Sequence, residues 1–128
     1  MLDASNPLAF EQEGCPPGLV TGHSDSGGEQ VQRWLAQARV VKWFNTVGYM
    51  QMVDPDFGDQ QPDLLICGND ADAKAIAGLL ARDLGWPTPI DLGGLTASRY
   101  LEPMGMVWIK HLFDNGFNGN HAFELLRK

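Results

Sequence analysis

Two asparagines stand where a chain of this kind could hold a flat ring. Asn6 closes the strand-like opening Met1-Leu2-Asp3-Ala4-Ser5 and precedes Pro7, which pushes Asn6 toward extended geometry and starts a loop. Asn45 and Thr46 follow the short β-rich run Arg39–Phe44, RVVKWF. Both sites would end strands at one sheet edge, the carboxyl edge, where open α/β folds place their ligands. A side-chain amide and a hydroxyl there suit the orienting of a flat carboxamide or a flavin-like ring, a task that needs position more than acid–base chemistry. The plainer readings are turn chemistry for Asn before Pro, and a loop-starting Asn with a capping Thr for the second pair.

Other polar groups offer less. Ser26-Gly27-Gly28-Glu29 fits a capping box, with the serine hydroxyl on an early backbone amide and Glu29 reaching back, so both are read as structural. Lys42, inside a strand, is read as pairing with a carboxylate or as an exposed edge charge. Tyr100 and Glu102 are carried as substrate-side candidates, Tyr100 as a donor, although a helical Tyr and Glu also serve packing and solvation. His23, His111 and His121 lack metal-ligand spacing. His23-Ser24-Asp25 cannot build a hydrolytic triad, because that geometry comes from separated positions. Met104, Met106 and Trp108 read as core or dimer packing. No catalytic acid or base stands out.

The elements that must position these residues alternate. A loop rich in Gly, Pro and charge spans Ala9 to Ser24. A helix follows from Ser26, with Val31, Trp34, Leu35 and Ala38 on one apolar face. After RVVKWF, residues 45–61 are irregular. Asp63–Gly68, DLLICG, reads as a buried parallel strand. A helix from Asp70 carries Ala73, Ile76, Ala77, Leu80 and Leu84 on a stripe, with Gly85 as its C-terminal cap. Pro89–Leu92 is a brief strand and Gly93-Gly94 a turn. Thr96–Phe113 is helical and so apolar that burial on more than one face is expected, with Pro103 kinking or dividing it. The end, 121–128, is open between helix and edge strand. The pattern predicts one α/β domain over 1–128 with a mainly parallel, Rossmann-like sheet, flanking helices and a long apolar C-terminal helix.

Bulk composition bounds the function. With 44% hydrophobic and 20% charged residues the 128-residue chain is a globular domain. A net charge of -7, with nine scattered basic residues, excludes a nucleic-acid partner of the usual kind. Cys15 and Cys67 are expected as free thiols. No basic leader with an apolar stretch and no membrane-length apolar run occurs, so the cytoplasm is the expected setting. A dinucleotide fingerprint G-x-G-x-x-G is absent outright: none of the 15 glycines lies two positions from another.

Four segments together resemble the predicted dinucleotide-binding enzymes related to the deazaflavin (coenzyme F-420)-dependent NADP reductases. They are Leu2–Leu8 (LDASNPL), Ser26–Glu29 (SGGE), Val40–Thr46 (VVKWFNT) and Ser98–Pro103 (SRYLEP). Their order and spacing match the back half of that family over essentially the whole chain. Family members carry a glycine-rich N-terminal β-α-β-α-β unit, and this sequence opens at what resembles the family's fourth strand. The resemblance therefore implies a truncated domain forming the nicotinamide and second-substrate side of a hydride-transfer site. Its cofactor would be NADP, with a deazaflavin as a second candidate. Asn6, Pro7, Asn45 and Thr46 would lie on the cofactor side and Tyr100 and Glu102 on the substrate side. A complementing polypeptide would supply the glycine-rich half. The competing expectation is a non-enzymatic remnant that covers its exposed sheet edge by homodimerisation and binds a small ligand or protein.

Overall fold

Consecutive residues of a strand point to opposite faces of its sheet, and this chain uses the alternation to build two cores. Val41 and Ile66 face one side, packing with Phe44, Val47, Leu64 and Trp86 against Ala77 and Ala81. Their neighbours Val40 and Cys67 face the other, with Leu95 and Leu101. The computed structural model describes all residues, 1–128.

The elements run β1 (Leu2–Asp3), β2 (Leu8–Ala9), β3 (Gly18–Leu19), α1 (Gly27–Trp34), β4 (Val41–Lys42), β5 (Leu65–Gly68), α2 (Ala71–Asp83), β6 (Ile90–Asp91) and α3 (Ser98–Asp114). Short 3₁₀ turns cover Tyr49–Gln51 and Leu95–Ala97. The main sheet has the order β1-β4-β5-β6. β1 pairs with β4 and β5 with β6 in parallel, while β4 and β5 are antiparallel. The fold is thus α/β and Rossmann-like, with a mixed, mostly parallel sheet between α2 on one face and α1 and α3 on the other.

The helix signals act as read. Ser26 Oγ accepts from the Glu29 amide at 3.2 Å, and Asp70 caps α2 by accepting from Ala73 at 2.8 Å. Gly85 follows α2 at φ 87°, a left-handed position glycine adopts freely. One feature of the capping box differs, since Glu29 turns its carboxylate to the Ser26 hydroxyl and to Arg99 of α3.

Other expectations need correction. The stretch read as loop closes on itself as an antiparallel hairpin of β2 and β3, whose two-residue strands are too short to show alternation. α1 ends at Trp34, which is 74% exposed, so of its expected apolar face only Val31 and Ala38 pack inward. α2 meets the sheet through Ala77 and Ala81, both fully buried, because small residues let the helix lie close; Ile76 and Leu80 are left exposed. A single helix runs through Pro103, and its buried residues Ser98, Leu101, Glu102, Gly105 and Trp108 form one face, not several. Tyr100 and Val107 on its outer side stay exposed. The end of the chain is neither helix nor strand, but it is anchored: the Asp63 amide donates to Phe123 O at 2.9 Å and the Leu125 amide to Asp63 Oδ2 at 2.7 Å.

Candidate functional site

β1 and β4 are parallel neighbours, so the segments leaving their carboxyl ends emerge side by side. Asn6 comes from the first and Asn45 from the second, after the backbone turns at Phe44 with φ 50°, a left-handed conformation that is costly for a phenylalanine. The two side chains lock together. Asn6 Nδ2 donates to the Asn45 carbonyl at 2.8 Å, and Asn45 Nδ2 donates to Asn6 Oδ1 at 3.0 Å. The other hydrogen of Asn45 Nδ2 goes to Leu101 O in α3, at 2.8 Å. Gly105 makes this approach of α3 possible: a Cβ on it would stand 2.9 Å from both Asn6 Nδ2 and Oδ1.

Both asparagines are among the residues lining a cavity of about 400 Å³. Its walls are aromatic and aliphatic, with Phe44, Tyr49, Met50, Trp108, Leu112 and Phe117 among them, and no charged side chain lines it. Trp108 is held from behind, donating from Nε1 to His121 O at 2.8 Å while its ring stacks on the His121 imidazole at 4.5 Å. Gly48 admits that indole, since a Cβ there would meet it at 2.8 Å. Asn45 is 6% exposed, and its Oδ1 is buried with no hydrogen-bond partner in the chain.

The remaining residues singled out from the sequence are placed elsewhere. Thr46 is buried and Pro7 lies against Gly27 at the start of α1; neither lines the cavity. Tyr100 is 76% exposed on the outside of α3. Glu102 is buried away from the cavity and fully engaged. Its two oxygens accept from the Gly27 and Gly28 amides at 2.9 Å each, and Lys42 Nζ lies 2.8 Å from Oε1. Lys42 is paired twice over, its ammonium also reaching Asp3 Oδ2 at 2.8 Å and donating to Ser5 O at 2.9 Å. Burial pushes the Asp3 carboxyl up, but bonds from Lys42 and Ser5 and the lysine charge outweigh it and hold the group below its ordinary value. No three His, Cys, Asp or Glu side chains converge on a position that could hold a metal ion. No helix is long and apolar enough to cross a membrane.

The aromatic wall escaped the sequence reading, which took Trp108 for core or dimer packing. The signal lay in α3, where Leu101, Gly105, Trp108 and Leu112 follow one another at helical spacing with a glycine where a side chain would block the asparagines.

No protein-family model matches the chain. It is 34% identical over 96 residues to the F420-dependent NADP reductase of Methanocaldococcus jannaschii, an alignment covering 75% of this chain and 43% of that protein. It is 31% identical over 103 residues to the metalloreductase STEAP3 of Rattus norvegicus, covering 80% of this chain and 19% of that one. A crystal structure of a candidate F420-dependent NADP reductase from Arthrobacter sp. FB24 superposes with a TM-score of 0.89 at 39% identity, over 98% of this chain and 57% of that one. A hypothetical protein from Sinorhizobium meliloti superposes with a TM-score of 0.60 at 36% identity, over 76% of this chain and 45% of that one. The chain is therefore similar in sequence and in fold to proteins named as F420-dependent NADP reductases, and it spans between about a fifth and somewhat over half of the length of the relatives it matches.

Proposed function

We propose that this chain forms the nicotinamide and second-substrate side of an NADP-dependent hydride-transfer site, and that it corresponds to the second half of such a domain. The observation that carries the reading is the Asn6–Asn45 pair, which leaves a buried, unpartnered acceptor beside an uncharged aromatic cavity at the carboxyl edge of β1 and β4. A flat, neutral ring fits such a place. The phosphates of a dinucleotide do not, because no charged side chain lines the cavity and no glycine fingerprint precedes a helix. A bound cofactor would supply the hydride chemistry. The residues of this chain would orient its ring through Asn6 and Asn45 and exclude water with Phe44, Trp108 and Leu112. A complementing polypeptide with a glycine-rich loop would grip the rest. We place this activity in the cytoplasm, where the exposed Cys15 thiol stays reduced.

Titration with NADPH while following tryptophan emission tests the proposal, since Trp108 walls the cavity. Saturable quenching is expected, and Asn45→Ala, checked for an unchanged circular dichroism spectrum, should abolish it. Absence of quenching up to millimolar NADPH overturns the reading for the chain alone.

A second reading draws on a separate feature. β1 is an edge strand, and beside it Met1, Leu2, Val41, Ala73, Ile76 and Leu80, together with Arg39, line an open, mostly apolar hollow. A non-enzymatic, self-associating remnant would bury that strip against a second copy. The solution mass distinguishes the two: a single-chain mass at high concentration removes the second reading.

A further inference from the structure

After α3 the chain turns back and becomes one wall of the cavity. Gly116 and Phe117 both hold φ 63°, a left-handed conformation that is costly for a phenylalanine. Phe117 and Gly119 then line the cavity beside Trp108. This strap is fastened to α3 by reciprocal contacts between two residues. Trp108 Nε1 donates to His121 O at 2.8 Å, and the His121 ring stacks on the indole with centroids 4.5 Å apart. The imidazole also has a backbone carbonyl at each nitrogen: Nδ1 lies 3.2 Å from Asn118 O and Nε2 lies 3.1 Å from Trp108 O.

A neutral imidazole carries one N–H, so it donates to one of those oxygens and sets a lone pair against the other. An imidazolium carries two and serves both. A cation over an indole face is favoured as well. The neighbouring charges are few. From α3, the His111 ring meets the His121 ring edge-on at 4.5 Å, and Lys110 and Asp114 are paired with each other. On the strap's own side Glu124 lines the same hollow as His121, while Phe57, Gln60 and Pro62 across it are uncharged. His111 opposes a proton on His121 and Glu124 favours it, but both are exposed and their effects are screened by solvent. We propose that His121 is a proton-operated clasp, which holds residues 115–121 closed over the cavity when its ring carries two protons and loosens them when it carries one. The clasp acts on the cavity wall whatever ring the cavity takes.

Hydrogen exchange of the Trp108 indole N–H tests this in the unaltered chain, because that proton is bonded to His121 O and exchanges when the strap lifts. NMR gives its rate across the range from about pH 5 to about pH 8, where an imidazole changes charge. Each rate is referred to that of free indole at the same pH, which removes the intrinsic pH dependence of exchange. Protection should fall about tenfold from the acid to the alkaline end, the worth of one hydrogen bond, in step with the His121 ring resonances. In His121→Gln, protection should be low and the same at both ends, whereas His111→Gln should keep the fall. Equal protection at both ends in the unaltered chain overturns the proposal. So does a fall that tracks the His111 ring in place of the His121 ring, or one that persists in His121→Gln.

Discussion

Lys42 and Glu102 form a salt bridge of 2.8 Å with 0% and 1% of their side-chain surfaces exposed. The same Glu102 accepts the first two amides of α1, so one carboxylate joins α1, β4 and α3 behind the asparagine pair. Leu101, whose carbonyl orients Asn45, is its neighbour in α3. Removing one partner of a buried pair leaves the other charged without compensation, which costs about 3–5 kcal/mol. Lys42→Met should therefore lower the urea midpoint sharply with little change in m-value. Replacing Asp3, Lys42 and Glu102 together by Asn, Met and Gln should recover a large part of that loss. A midpoint for Lys42→Met equal to that of the parent chain would mean that the network contributes nothing to stability.

Acid should act on the same network. The Asp3 carboxyl is held below its ordinary value because its bonds to Lys42 and Ser5 outweigh the effect of burial. Glu29 is lowered mainly by its bond from Arg99. A depressed carboxyl contributes stability that is fully present above its unfolded value and disappears as pH falls through the lowered folded one. Stability should hold through the neutral range and decline from about pH 4 downward as these groups take protons. Urea midpoints at pH 7, 5 and 3 check this, and a midpoint at pH 3 matching that at pH 5 contradicts it.

The α/β alternation, the two helix caps and Gly85 were legible because each is a local signal within a few residues. Lys42, Asp3 and Glu102 were not, since their meeting depends on α3 packing over β1 and β4. Sequence separations of 39 and 60 positions carry no spacing rule that announces a buried triad. Asn6 and Asn45 could be placed at one sheet edge from strand order alone. Their mutual bonds and the aromatic cavity beside them required the third dimension. Ile76 and Leu80 mislead for the opposite reason: periodicity marks them as core, while the sheet is met by the alanines next to them.

The two cysteines should differ in reactivity. Cys15 is exposed, whereas Cys67 is buried and its thiol is pushed up, chiefly by burial, against the smaller lowering effects of Ser98 and Lys42. Since the thiolate is the reactive form, Ellman's reagent should titrate one thiol in the native chain and two in urea. Rapid reaction of both in the native state would show that the core around Val40, Cys67 and Leu101 opens readily.

Two glycines inside helices should respond to alanine in opposite directions. Alanine is favoured over glycine in a helix interior by about 1 kcal/mol. At Gly78 in α2, the nearest atom to a new Cβ is Pro89 Cδ at 3.8 Å, an ordinary contact, so Gly78→Ala should stabilise by close to that amount. At Gly105 in α3, the new Cβ would stand 2.9 Å from both amide atoms of Asn6 and 3.0 Å from Asn45 O. These atoms cannot withdraw without breaking the bonds between the two asparagines, and overpacking of this kind costs about 1–3 kcal/mol. The clash outweighs the helix preference, so Gly105→Ala should be destabilised and should lose the ligand-induced quenching of Trp108 as well. Thermal unfolding with and without NADPH measures both effects. If Gly105→Ala proved as stabilising as Gly78→Ala, α3 would not press on the asparagine pair as closely as the 2.9 Å separation requires.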